Sequence, residues 1–598
     1  MAIKNKILAG IEQYKQEETQ QLKATNLFSN LRLASFVLGI GFAAALYYNG
    51  QGNFGIFMLL VTLTAFFYFV GWHQAANRKL ECMRCYIKIN ENNLARLNGT
   101  WGKFSDSGAE FRDPEHPYIN DLDVFGENSL FQLMNTTNTY YGRQELQRLL
   151  KRPQADIEVI HARQRAVKEL AEKSDFIDKL QCVGMMSKGI IYDPARLVQY
   201  VQGEAVLFSR KRLHAGVLFV SIGTVISCIL AFLDILPALI PGILVICQGI
   251  LSVAGFKEVS AALDTIHRFK ENIKAFKELF AIIQQQEFHE SELIKMQEIL
   301  GGRHGQAMHS IKKLEHIAEA VDVRYNIISY TLFNFFLLWD YHCVFALETW
   351  KKQDGKLVER WLSAVAYFEA TASLANLARL NPTWSFPILT DKLCFDSKKA
   401  GHPLLDAHKR VANDFTLNQG LGIITGSNMS GKTTMLRTVG INLVLAYAGA
   451  PVCAKQLTCS VMDIITSMRI SDDLGNGIST FYAELLRIKK IIEQAKIKQP
   501  MIFLIDEIFR GTNSNDRITG ALGVLRNLNK EWVIGLISTH DFELCGLEQE
   551  AGIQAVNYHF LESYQEGEIQ FDYKIRLGRC YTTNARYLMQ LVGIELIE

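Results

Sequence analysis

Asp, Glu, Lys and Arg are missing altogether from residues 33–77, in a chain that carries 63 Lys+Arg and 61 Asp+Glu elsewhere. A helix without a polar face does not lie on a soluble surface. A hydrocarbon core of ~30 Å takes about 20 helical residues per crossing, so the stretch is long enough for two crossings, at 33–48 and 54–72. Asn49-Gly50-Gln51-Gly52-Asn53 between them is a turn by composition. The run starts too far in, and continues too long, for a cleaved signal peptide; the competing reading is a hairpin buried in a soluble core. Also missing is any charge excess, the net charge being +2, so there is no global argument for a nucleic-acid partner, although a local basic groove stays open. No dense cysteine framework exists either. The 11 cysteines are scattered, which fits a reducing compartment. Cys82-x-x-Cys85 stands alone, without a second pair or a His at zinc spacing, and reads as two ordinary reduced thiols. Leu-Ser-Gly-Gly-Gln is absent, which weighs against an ABC transporter.

What is present begins with size. At 598 residues the chain is too long for one core. A second apolar pair, 213–233 and 235–256, is interrupted only by Asp234; Arg210, Lys211 and Arg212 precede it and Lys257 follows. Around the first pair stand Arg32 before and Arg78, Lys79 and Arg84 after, and neither connecting loop holds Lys or Arg. The positive-inside bias therefore puts all long segments on the cytoplasmic side. The apolar run 325–339 is marginal for a crossing, and a fifth crossing would put the downstream domain outside, so a buried helix is expected there. Between the hairpins, Leu146, Leu149 and Leu150 mark an amphipathic helix. Its basic residues (Arg143, Arg148, Lys151, Arg152) and the later Arg163, Arg165 and Lys168 read as solvated faces rather than phosphate contacts.

From Gly420 the chain runs Gly-Leu-Gly-Ile-Ile-Thr-Gly426-Ser427-Asn428-Met429-Ser430-Gly431-Lys432-Thr433-Thr434. Gly426 to Thr433 fits G-x-x-x-x-G-K-[ST], whose backbone N–H groups cradle phosphates. Lys432 supplies charge for the β- and γ-phosphates of ATP, Thr433 a hydroxyl for Mg²⁺, and the helix opening there a favourable dipole. Downstream, Met501-Ile-Phe-Leu-Ile-Asp506-Glu507 reads as a buried strand with two carboxylates at its tip. Asp506 suits the Mg²⁺ shell, and Glu507 is placed to polarise the attacking water. A further strand ends at Ser538-Thr539-His540, where the imidazole can sense a γ-phosphate.

These motifs in this order resemble the MutS family of mismatch-repair ATPases. The resemblance rests on 425–434 with Leu436 and Arg437, on Asp472-Asp-Leu with Ser479-Thr-Phe, on Asp506-Glu-Ile-Phe-Arg-Gly-Thr512 and on Thr539-His540. His402-Pro-Leu-Leu, Val411-Ala-Asn-Asp-Phe and the 129–164 pattern add to it more loosely, and Tyr573 to Gly593 resembles the closing segment. The resemblance implies an ABC-type ATPase using ATP and Mg²⁺ and working as a homodimer. Lys432, Thr433, Asp506, Glu507 and His540 would act in cis, and Ser479 would reach the γ-phosphate held by the partner subunit. Val411 lies near where the family packs adenine, without the aromatic often found there. Phe509 stands at a customary Gly. DNA binding is implied too, but the family's N-terminal mismatch reader has no counterpart in the first hairpin.

The expected architecture is multidomain: a mostly α-helical core or lever domain with transmembrane helical hairpins, then a C-terminal α/β P-loop ATPase domain. Its expected boundaries are 1–32 N-terminal helix, 33–76 first hairpin, 77–212 core, 213–256 second hairpin, 257–385 core and lever, and 386–598 ATPase. The expected setting is a multi-pass protein of the inner (cytoplasmic) membrane, contacting lipid and a DNA duplex or an unidentified protein partner.

Overall fold

Two very long helices, Ala2–Tyr48 and Gly52–Leu97, open the chain. In the computed structural model the described residues are 2–151, 156–187, 195–203, 211–301, 306–469, 480–509, 512–565 and 568–580. The chain divides into two compact units, one of residues 1–91, 137–144 and 175–369, the other of 92–136, 145–174 and 370–598.

In the first unit the two helices pair antiparallel about Gly50, whose φ of 80° makes the left-handed turn that an L side chain resists. Ring contacts fix the register: Tyr14 stacks on Tyr86 at 5.0 Å, Phe28 lies on Trp72 at 5.7 Å and Phe36 on Phe66 at 5.4 Å. Gly55 closes on Ala43 and Tyr47, and Gly39 on Thr62, so small residues allow close approach. At 1.5 Å per residue each helix is roughly 70 Å long, about twice a hydrocarbon core. Only the apolar windows have a composition suited to lipid, and only 6% and 11% of those windows is buried. The helix Lys211–Phe232 follows, then Leu239–Ala254, which breaks at Gly255 into Phe256–Arg268. Among the described residues three helices are long and apolar enough to cross a membrane, or four if the bent pair counts as one.

The run 325–339 is not the buried helix its sequence suggested. It contains Ile327–Leu337, of which only Asn334 is buried, while Ile327, Ile328 and Leu332 are 81%, 69% and 54% exposed. An all-apolar helix has no polar face to turn outward, and one contact face covers only part of its girth. Its end is pinned by Ser221, whose hydroxyl donates to the Leu337 carbonyl at 2.8 Å.

A buried acid stands in the same unit. Glu369 accepts from the N–H of Asn138 at 2.8 Å and of Thr139 at 3.3 Å, and from the Thr139 hydroxyl. Burial nevertheless pushes its carboxyl up to about 7 from an ordinary 4.5, the hydrogen bonds opposing only in part. The folded state keeps its proton where the unfolded chain has lost it. Its contribution is therefore present below pH 4.5 and is lost as pH rises through 7, by about 3 kcal/mol in all. Glu369→Gln should remove that slope: denaturation midpoints taken between pH 4.5 and 8 should fall less with rising pH in the variant than in the parent.

The second unit carries two sheets. Strands β1 (Ile388–Thr390), β2 (Phe395–Ala400), β3 (Asn413–Leu417) and β5 (Gln456–Ser460) form one, in the order β1-β5-β2-β3. β4 (Gly420–Thr425), β6 (Asp463–Ser467), β7 (Met501–Asp506), β8 (Val533–Thr539), β9 (Ala555–Gln565) and β10 (Glu568–Leu577) form the other, in the order β10-β9-β4-β8-β7-β6. All its pairings are parallel except the β9–β10 hairpin. Every residue of β4, β7 and β8 is buried, as a sheet covered on both faces demands. Alternation along β7 sorts the two faces. Phe503 and Ile505 join Ile488, Ile491 and Leu525 of the helices Thr480–Ala495 and Ser514–Leu528, while Leu504 reaches Gly440 of the helix Lys432–Ala448 on the other side.

Candidate nucleotide site

Parallel strands deliver their C-terminal tips to one edge of a sheet, and ligands bind in the crevice beyond. Here β8 lies between β4 and β7, with Thr425 opposite Thr539 and Asp506 opposite Ser538. Three sequence-distant pieces therefore meet: the loop 426–431 after β4, the carboxylates after β7 and His540 after β8.

The loop needs its glycines. Gly426 has φ 147° and Gly431 φ 111°. A Cβ on Gly426 would lie 2.9 Å from the Ser430 hydroxyl and 3.1 Å from the Phe560 carbonyl. Met429, with φ 67°, points outward and is 85% exposed. Lys432 is buried at the first position of the helix, and its ammonium donates to the carbonyls of Gly426 at 2.8 Å and Ser427 at 2.9 Å. The Ser427 hydroxyl donates to Glu562 of β9 at 2.7 Å, and the buried Ser430 Oγ has no partner among the described residues. Thr433 donates to Asp506 at 2.9 Å, whereas Thr434 is exposed. The other Asp506 oxygen accepts from Ser538.

His540 joins the pieces. Its Nε2 lies 3.1 Å from Lys432 Nζ, 2.8 Å from Asn428 Oδ1 and 3.1 Å from Glu507 Oε1. One nitrogen cannot accept from the ammonium and donate to the oxygens at once, so the position of the imidazole proton selects the partner. Glu507 itself has φ 51° and Phe509 φ 61°, turning the chain sharply away from the tip of β7. Left-handed backbone costs about 1–2 kcal/mol at a residue with a Cβ. At Phe509 burial of the ring offsets it: the ring packs on Phe481 at 5.9 Å and beside Gly520, and its N–H donates to Glu484. Phe509→Ala should thus lose about 3 kcal/mol of stability, and Phe509→Gly about 1 kcal/mol less despite being the smaller residue. Paired denaturation curves test that order.

The residues present fit a magnesium nucleotide. Ser430 offers a buried hydroxyl inside the loop that is unsatisfied among the described residues. The 2.9 Å between Thr433 and Asp506 oxygens matches two adjacent ligands of an octahedral ion at about 2.0–2.1 Å. Among the described residues no three His, Cys, Asp or Glu side chains would hold a metal ion by themselves. Magnesium usually takes one or two carboxylates with phosphate oxygens, and this donor set is of that kind.

Val411 precedes a segment held by the hairpin strand β10. Its neighbours are tied to β10, the Asn413 amide donating to the Tyr573 carbonyl at 3.0 Å and Lys574 to the Ala412 carbonyl at 2.7 Å. The Tyr573 ring comes beside Gly431, an aromatic that lies too far along the chain for local pattern to connect with the loop. Glu562 and Ser538 were likewise silent in the sequence. Ser479 lies outside the described residues.

Comparison with known proteins adds an independent line. The family model for MutS domain V matches residues 422–594, and that for MutS domain III matches residues 118–326. The DNA mismatch repair protein MutS of Carboxydothermus hydrogenoformans is 30% identical over 274 residues, 44% of this chain and 32% of the relative. The chain thus matches about a third of that relative's length. The two domain matches and this relative together support the MutS family for this chain.

Proposed function

We propose that the chain is a membrane-anchored MutS-like ATPase that binds and hydrolyses Mg-ATP as a dimer and couples this to binding of duplex DNA, in work related to mismatch repair. The observation that carries the reading is the meeting of Lys432, Thr433, Asp506, Glu507 and His540 at adjacent strand tips. Backbone N–H groups of 426–433 bind the phosphates, and Lys432 exchanges its loop carbonyls for phosphate oxygens. Thr433 and Asp506 would hold magnesium, which would supply positive charge against the phosphates. Glu507 orients water in line with the γ-phosphate and takes its proton, and His540 reports the γ-phosphate through its Nε2 contacts. Ser479 of the partner subunit would complete each site across a dimer interface. The exposed apolar helices support an inner-membrane anchor with the core and ATPase segments on the cytoplasmic side, where ATP is.

Those same helices favour a second reading, an ATP-driven membrane process with a protein partner and no DNA. Gel-shift of the full chain in detergent, with matched and mismatched duplexes and with and without ATP, separates the two. Under the first reading DNA is retained and affinity falls steeply with salt; under the second ATP is hydrolysed and no duplex is shifted.

A further inference from the structure

A cleft of about 410 Å³ in the first unit lies far from any nucleotide chemistry in sequence. Arg78, Lys79 and Lys179 stand around it, with Cys82, Tyr86 and Cys182 in its wall. Cys82 belongs to the helix Gly52–Leu97, beyond its apolar half, and Cys182 to the helix Ser174–Met186. Their sulfurs are 3.3 Å apart although the residues are 100 positions apart in the chain. A disulfide needs about 2.05 Å, so closure takes little more than 1 Å of movement, within reach of rotamer adjustment. Cys82 is half-buried and Cys182, in the same wall, is buried, 3.8 Å from Met186 Sδ.

We propose that Cys82 and Cys182 form a peroxide-reactive thiol pair that closes to a reversible intramolecular disulfide between these two helices. The Cys82 thiolate attacks one oxygen of a hydroperoxide, the O–O bond breaks, and the leaving oxygen takes a proton to depart as water (from hydrogen peroxide) or alcohol. Cys82 is now a sulfenic acid. Cys182 then attacks that sulfur, its own proton leaving with the displaced hydroxide as a further water. Two thiols are oxidised by two electrons and one peroxide is reduced. A cellular dithiol or glutathione reverses the step by exchange.

The roles follow from surroundings. The hydrogen bond from Cys182 brings the Cys82 thiol down to about 7, opposed by burial, aided by Tyr86 and the Arg78 guanidinium, and opposed again by Glu278, which pairs with Arg78 in the same cleft. Cys182, between the sulfurs of Cys82 and Cys85 and more deeply buried, is held well above the usual thiol range and stays protonated. An attacking thiolate therefore stands in the cleft wall, and a thiol with a proton to give stands beside it. Of the remaining cysteines, Cys247 is exposed but lies on the apolar helix Leu239–Ala254.

The test uses the full chain in detergent, freed of reductant and treated with a few equivalents of hydrogen peroxide, then alkylated and mapped by peptide mass spectrometry. The expected result is a dominant Cys82–Cys182 linked peptide that dithiothreitol abolishes. Cys182→Ser should trap Cys82 as a sulfenic acid that dimedone labels, and Cys82→Ser should leave Cys182 reduced. Preferential oxidation of Cys247 with Cys82 still alkylatable would overturn the proposal, as would a Cys82–Cys85 link. Mapping the parent protein decides the matter even if a variant folds poorly. ATP turnover is not the readout, so this result and the nucleotide reading stand or fall separately.

Discussion

Glu507→Gln should lower ATP turnover about 10²–10⁴-fold, the usual worth of a positioned general base, while ATP binding changes by no more than about threefold. Glutamine keeps the length of the side chain, and its carbonyl oxygen can still accept from His540 Nε2, now 3.1 Å from Glu507 Oε1. What it lacks is the capacity to take a proton from water. Lys432→Ala should fail differently. It removes the ammonium that the loop carbonyls and His540 now hold, so nucleotide binding itself should be lost. Phosphate release measured beside a fluorescent-nucleotide titration separates the two outcomes. Parental turnover in Glu507→Gln would remove that carboxylate from the chemistry and leave the binding site standing.

The second large effect lies where sequence gave no hint. Asp121 is buried, and its carboxylate accepts from the Thr466 hydroxyl at 2.6 Å, from the N–H groups of Met468 at 3.1 Å and Arg469 at 3.0 Å, and lies 3.4 Å from Arg487. Two residues on, Asp123 pairs with Arg469 and with Arg437 of the loop helix, and Leu122 between them packs against Gly440. A segment from the 118–326 region is thereby built into the sheet that holds the nucleotide loop. Asp121→Ala strands the N–H groups of Met468 and Arg469, while the Thr466 hydroxyl keeps the Pro117 carbonyl and Arg487 the Thr466 carbonyl. The variant should lose about 2–4 kcal/mol. Asp121→Asn keeps one acceptor oxygen and should lose clearly less. Denaturant midpoints measure both, and a loss below about 1 kcal/mol in the alanine variant would show that the contacts are dispensable.

Certain features were legible because they are local. An apolar run ending in two carboxylates has few uses other than a buried strand, and β7 ends at Asp506. Glycines flanking Lys432 fix a loop and a helix start by backbone sterics alone. Charge-free runs are visible without any fold, and so were the apolar parts of the first two helices and a helix before the first of those parts, although the merging of these two into one helix of 47 residues and the extension of the second to 46 were not. The run 325–339 misled because apolar composition reports a preference to leave water, not whether protein or lipid replaces it.

Composition and spacing therefore determined the order of the strands' chemistry, the glycine turn and the apolar stretches, since each depends on neighbours within a few residues. Tertiary structure alone decided that Tyr573 comes beside Gly431, that Glu562 takes the Ser427 hydroxyl, that Asp121 is clamped under β6 and that Cys82 meets Cys182. Each joins side chains about a hundred residues apart or more, and such a pairing is set by how sheets and helices close on one another, which no periodicity along the chain encodes.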